Sequence, residues 1–209
     1  MKQIEYFYAC HSVFAYLGAW RLAEIAAEHD VQVIHKPIDL NPVVAAAGSA
    51  PFSARSKTHS YYFFGREITR WAEVRELPWI MRRPTHHDNP LALGNGTIIA
   101  AQTMGLDVHA LSRALLQAHW RDDADPADAA TIAAIADGLG MDGAALITAA
   151  QSAETQAQHA ANTAEAIARH VLGSPTYFVE GDMFYGQDRL EMVARALVKP
   201  FAQLPRHKA

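Results

Sequence analysis

Ile4-Glu5-Tyr6-Phe7-Tyr8-Ala9-Cys10-His11-Ser12-Val13-Phe14-Ala15-Tyr16-Leu17 carries the chain from a strand into a helix within a few residues. Ile4 to Tyr8 is a short aromatic-rich run of strand type. Beyond it, Phe14, Leu17, Gly18, Leu22 and Ile25 fall on one side of a 3.6-residue wheel, while Arg21, Glu24 and Glu28 reach its border or the opposite side. Val31-Gln32-Val33-Ile34 is a second β-branched run. These elements predict a βαβ unit of about 40 residues, its strands parallel and joined by a right-handed crossover.

From Asn41 to Arg169 the pattern changes. β-Branched runs nearly disappear, alanine becomes abundant and helix punctuation recurs. Asp125-Pro126 predicts an N-cap followed by proline at the first helical position, with Gly138 and Gly140 ending that segment, and Asp107 and Asp142 mark neighbouring starts. Ala153 to His170 reads as an amphipathic helix. After Gly173 the strand pattern returns: Thr176-Tyr177-Phe178-Val179, the turn Glu180-Gly181-Asp182, then Met183-Phe184-Tyr185, an antiparallel hairpin. A last helix carries Leu190, Val193, Ala194 and Leu197 on one face and stops at Pro200. The expected domains are 1–40 with 170–209, and a helical insertion over 41–169.

The 209 residues are half hydrophobic, enough for one substantial core. A net charge of -4 with scattered Lys and Arg argues against a nucleic-acid partner. The start, Met1-Lys2-Gln3-Ile4-Glu5-Tyr6, reaches an acidic residue before an h-region could form, and no run of about 18 apolar residues follows, so a cytoplasmic protein without a membrane partner is expected. Cys10 is the only cysteine, which rules out an intrachain disulfide. The histidines include no i, i+4 pair and no His-Glu-x-x-His, so no metal is expected. No G-x-G-x-x-G, P-loop or Gly-x-Ser-x-Gly elbow occurs.

The order βαβ, helical insertion, ββα is that of an α/β, thioredoxin-like domain interrupted by helices. Tyr6 to Leu17 resembles the corresponding region of Dsb-type oxidoreductases and, more closely, of kappa-class glutathione transferases and the 2-hydroxychromene-2-carboxylate isomerase family. There an aromatic strand precedes Ser-Pro-(Phe/Tyr)-(Ser/Ala)-Tyr, which Ser12 to Tyr16 match except for Val13 in place of proline. A redox dithiol needs cysteines three apart, and Ser12 and Ala15 stand at those places, so disulfide exchange is excluded. The resemblance makes Ser12 the catalytic residue. A hydroxyl cannot act as a thiolate, but it can donate a hydrogen bond to one supplied from outside, and the resemblance implies glutathione as that cofactor. A free thiol of pKa about 8.5 is only a few per cent ionised at neutral pH, and a helix N-terminus lowers that value. The plainer reading of Ser12 is an N-cap.

Two further stretches carry the resemblance. In Gly173-Ser174-Pro175-Thr176, Pro175 matches the cis-proline that faces the reactive residue in this fold, and Ser174 the residue whose backbone binds the cysteinyl part of glutathione. In Phe184-Tyr185-Gly186-Gln187-Asp188-Arg189-Leu190, the resemblance assigns Gln187 to a carboxylate and Asp188 to the ammonium of the γ-glutamyl end. Asp188 as a first-turn dipole partner paired with Arg189 is the alternative. Lys57, before Tyr61 and Tyr62, resembles a lysine near the family's cofactor and substrate pocket. Gly48-Ser49-Ala50-Pro51 resembles a Gly-Asn-x-Pro turn without its asparagine. Trp71 reads as a core anchor, and Arg82, Arg83, His86 and His87 either meet a substrate carboxylate or form a solvated loop.

The resemblance thus implies a glutathione-dependent isomerase of 2-hydroxychromene-2-carboxylate or a similar aromatic carboxylate, acting as a homodimer in aromatic catabolism. A kappa-class-like transferase and a non-catalytic glutathione-binding relative stay open beside it.

Overall fold

The computed structural model describes residues 2–50 and 54–202. β1 (Gln3–Tyr8), α1 (Val13–Glu28) and β2 (Gln32–Pro37) form the expected βαβ unit, with β1 and β2 parallel and in register from Gln3 opposite Gln32 to Tyr8 opposite Pro37. β3 (Thr176–Val179) pairs antiparallel with the other edge of β1, and β4 (Asp182–Tyr185) pairs with β3. The sheet order is therefore β2-β1-β3-β4. The hairpin turns at Glu180 and Gly181, both at positive φ (51° and 86°), the pair of left-handed residues that a two-residue turn matching strand twist requires.

The alternation of β1 sorts its side chains to two faces. Ile4, Tyr6 and Tyr8 join the main core, where the ring of Tyr6 stacks between Tyr8 at 3.9 Å and Tyr177 at 5.1 Å. Phe7 faces the other way and packs with Phe178, Ile38, Val43, Ala166 and Val171. The Arg169 guanidinium lies 3.9 Å over the Phe178 ring and pairs with Glu5, which Lys36 also contacts. These cations, Arg169 foremost, hold the Glu5 carboxyl down at about 2.

Between the two halves of the sheet run α2 (Leu40–Ala46), α3 (Lys57–Tyr61), α4 (Ile68–Val74), α5 (Ala92–Thr103), α6 (Val108–Asp122), α7 (Ala129–Gly138), α8 (Gly143–Ala150) and α9 (Ala153–Ala168). A π-helical stretch, Tyr62–Glu67, joins α3 to α4. α10 (Leu190–Val198) closes the fold after a 3₁₀ turn at Gln187–Arg189. Leu22 of α1, Ile98 of α5, Leu116 of α6, Ile132 of α7, Leu146 of α8 and Val193 of α10 belong to one apolar cluster, so the helices and the sheet share a core. Among the described residues no helix is long and apolar enough to cross a membrane.

Asp107 and Asp142 cap α6 and α8 as read from the sequence. Asp125 does not cap α7. Its carboxylate instead accepts from the backbone N–H of Ala127 in a local turn and from the Asn89 amide, and Asp128 caps the helix through Thr131 N–H. An Asp-Pro pair suits such a turn as well as a helix start, and a second aspartate three residues on offers the better cap.

Candidate active site

α1 begins at the end of β1, and Ser12 is its N-cap, in extended conformation. The Ser12 hydroxyl accepts from Ala15 N–H at 3.3 Å and donates to the carbonyl oxygen of Ser174 at 3.3 Å. An O–H···O bond is ordinarily 2.5–3.0 Å, so this hydroxyl is weakly held and can turn to a better acceptor. The first turn of α1 contains no acidic side chain, which leaves the positive end of the helix dipole uncompensated beside a side chain only 7% exposed.

Ser174 and Pro175 are joined by a cis peptide bond. The Ser174 hydroxyl accepts from Ala9 N–H at 3.1 Å, fastening this loop to the end of β1. Pro175 C=O accepts from Gly186 N–H at 2.9 Å, fastening it to the end of β4. The loop is thus bonded to Ser12 through Ser174 and to the start of the 186–189 turn through Pro175. Gly186 sits at φ +103°, and a Cβ there would lie 2.4 Å from Asp188 Oδ1, because the Asp188 carboxylate folds back over this residue.

Asp188 is half exposed and pairs with Arg189 at 2.9 Å. Gln187 departs from its sequence-based role. Its side chain is 2% exposed and packs against Gly18 of α1, where an added Cβ would meet Gln187 Cβ at 2.7 Å, and its Oε1 is sealed off without a partner. The 3₁₀ turn points this side chain inward, so only the backbone of Gln187 can face a ligand carboxylate. Lys57 lies in the first turn of α3, exposed, and no hydrogen bond or ion pair among the described residues ties it to Ser12 or Ser174. Ser49 is exposed, and Pro51 of the same turn lies outside the described residues.

Cys10 is buried, and burial pushes its thiol up to about 12, far from a nucleophile. His11 forms no pair with Ser12, whose hydroxyl bonds to Ser174 C=O and Ala15 N–H; the His11 ring lies tilted against that of His87, 4.5 Å away. Arg82 and Arg83 are engaged by the protein's own carboxylates, Asp123 and Asp88. Among the described residues no group of His, Cys, Asp and Glu converges for a metal ion.

Three positioning residues were not found by sequence reasoning. Asn95, fully buried in α5, accepts from Cys10 N–H at 3.0 Å and donates to Ile38 C=O at 2.9 Å, tying the turn before Ser12 to the end of β2. Trp120 Nε1 donates to His11 C=O at 2.8 Å, and Tyr16 OH donates to Pro78 C=O. An asparagine between two glycines, Gly94-Asn95-Gly96, inside an apolar helix was the available signal.

A hydroxyl at a helix N-cap, set against the carbonyl that precedes a cis-proline, with alanine three residues on and the single thiol of Cys10 buried, defines a thioredoxin-like site without a redox couple. The chain belongs to the DSBA-like thioredoxin domain family, whose description matches residues 3–198. It is similar to a 2-hydroxychromene-2-carboxylate isomerase of Sphingobium xenophagum, 26% identical over 94% of this chain and 98% of that protein. A protein of the same name from Pseudomonas sp. (strain C18) is 28% identical over 93% and 89%. Among solved structures, a 2-hydroxychromene-2-carboxylate isomerase superposes with a TM-score of 0.81 at 24% identity, covering 94% of this chain and 95% of that one.

Proposed function

We propose that this protein is a glutathione-dependent isomerase of 2-hydroxychromene-2-carboxylate or a closely similar intermediate of aromatic degradation. Relatives that bear this name along nearly their whole length support the isomerase class. The observation that carries the cofactor assignment is the Ser12 hydroxyl, long-bonded to Ser174 C=O at the start of a helix with no competing acid.

The residues present fit glutathione. Ser174 offers a backbone edge beside Ser12 for the cysteinyl unit. The N–H groups of Gln187 and Asp188 open the 187–189 turn without an acceptor among the described residues, whereas Arg189 N–H bonds to Gly186 C=O, and Asp188 offers a carboxylate for an ammonium. Bound there, glutathione supplies a thiolate for reversible addition to a conjugated double bond. Ser12 donates its hydrogen bond to the sulfur and, with the dipole of α1, favours the ionised form both before addition and after release. The protein itself forms no covalent bond to substrate.

The test is a spectrophotometric assay with 2-hydroxychromene-2-carboxylate, with and without glutathione. Glutathione-dependent conversion to the benzylidenepyruvate isomer, with glutathione recovered unchanged, is the expected result. Accumulation of a stable conjugate would make the protein a transferase, and conversion that ignores glutathione would remove the cofactor from the account.

A further inference from the structure

Residues 75–91, between α4 and α5, cross the start of α1 as a strap without helix or strand. The strap is held to the end of α6 by Ile80 N–H on Trp120 C=O, by Arg82 and Thr85 on Asp123, and by Asn89 on Asp125. At its centre the His87 ring lies nearly parallel to that of His119, 5.2 Å away, and tilted by 33° against that of His11, the residue before Ser12, 4.5 Å away. His87 Nδ1 lies 2.9 Å from His119 Nε2, and His119 Nδ1 lies 2.9 Å from the carbonyl oxygen of Ala124.

The proton positions follow from this chain of bonds. A carbonyl only accepts, so His119 carries hydrogen on Nδ1. Burial lowers the pKa of His119, and that of His87 to about 4, so each ring holds one proton at neutral pH. His119 Nε2 is then a lone pair, and His87 Nδ1 must donate to it. The remaining nitrogen, His87 Nε2, is left as a lone pair. It has no hydrogen-bond partner among the described residues and is not among the sealed-off polar atoms. The groups facing this ring are Arg83 and Asp88 of the strap, paired with each other, and the imidazoles of His11 and His119, with Asp123, Asp125 and His86 beyond His119. None of them donates to His87 Nε2.

An uncharged lone pair repels a carboxylate and selects a donor. On the ring-opened form of a 2-hydroxychromene-2-carboxylate, a hydroxyaryl keto-carboxylate, the only donor is the ring hydroxyl. The His87 ring lies against that of His11, the residue preceding Ser12, with 4.5 Å between ring centroids. We infer that His87 is a specificity-determining residue of the site proposed above: its Nε2 accepts the hydroxyl hydrogen of a hydroxyaryl substrate, and His119 is the positioning residue that fixes its tautomer. This inference rests on the Ser12 site being the reaction site, and its test requires no turnover.

Nitrogen-15 spectra of histidine-labelled protein at neutral pH should show His87 and His119 both protonated at Nδ1. A His87 protonated at Nε2 overturns the inference. Calorimetry with 2-hydroxycinnamate and cinnamate should show the hydroxylated ligand binding about 5- to 10-fold more tightly, the range of one hydrogen bond. His87→Asn keeps the inner bond to His119 but loses the outer acceptor, so it should bring the two ligands within about twofold. His87→Gln places an oxygen near the former Nε2 and should retain the preference. An equal preference in wild type and His87→Asn, or binding of neither ligand, contradicts the assignment. Failure of the isomerase assay alone would instead count against the reading of Ser12.

Discussion

The Ser12 hydroxyl and the Ser174 carbonyl oxygen lie 3.3 Å apart across a sequence separation of 162 residues. The long sequence loop between them closes because β3 returns beside β1, with Phe7 opposite Thr176. The proposed site is therefore a product of sheet pairing, and its sensitivity to mutation divides between residues that meet the ligand and residues that hold this pairing.

Replacing Ser12 with alanine removes both a donor to the sulfur and the cap of α1. The glutathione-dependent kcat/KM is expected to fall by about 10²-fold or more, as when one oxyanion donor is lost. Thermal unfolding should report a loss of about 1 kcal/mol from the cap. An unchanged rate in a folded variant would leave Ser12 with the capping role alone.

Asp188→Asn should weaken glutathione binding by about tenfold, the lower end of a charge-assisted bond, measured calorimetrically. Its partner Arg189 is exposed, so stability should shift by no more than about 0.5 kcal/mol. Equal affinity in the two proteins would return Asp188 to a dipole partner of its own helix.

Asn95→Leu leaves the Cys10 N–H and the Ile38 C=O buried and unpaired. Each orphaned group costs about 1–3 kcal/mol, so urea unfolding should show a loss of about 2–6 kcal/mol and a raised KM for glutathione as the turn before Ser12 shifts. A variant as stable as wild type would show that this turn holds its position without α5.

Acid should weaken the protein in two stages. His11, His35 and His87 are held uncharged by burial, with folded values of about 3, 3 and 4 against an ordinary 6.5. The unfolded chain takes up those protons first, so stability is intact above pH 6.5 and declines as pH falls from there toward 4 and 3. Each imidazole contributes a slope of about 1.4 kcal/mol per pH unit over its window. Glu5, held at about 2 by Arg169 and Lys36, adds its loss only below 4.5. Urea midpoints that stay flat between pH 6.5 and 5 would show that these rings are charged in the folded protein.

The two ends of the chain were legible because their signals are local. The aromatic strand, the capped helix, the Gly-x-Pro loop and the hairpin each declare themselves within a few residues. Asp125 was misread because an aspartate before proline caps a helix or closes a turn equally well, and only the position of Asn89 decides between them. The strap over 75–91 has no periodicity to read. Its structure comes from pairings with Asp123, His119 and Trp120, distant in sequence. The inward turn of Gln187 was equally hidden, since it depends on the missing side chain of Gly18.

The central claim is that Ser12 and the start of α1 stabilise a borrowed thiolate. It is tested most directly by titrating bound glutathione through the ultraviolet absorbance of its thiolate, in wild type and in Ser12→Ala. The account predicts a thiol pKa well below the free value of about 8.5 in the wild-type complex and a return toward that value in the variant. A bound thiol that titrates identically in both proteins, at the free value, would contradict it.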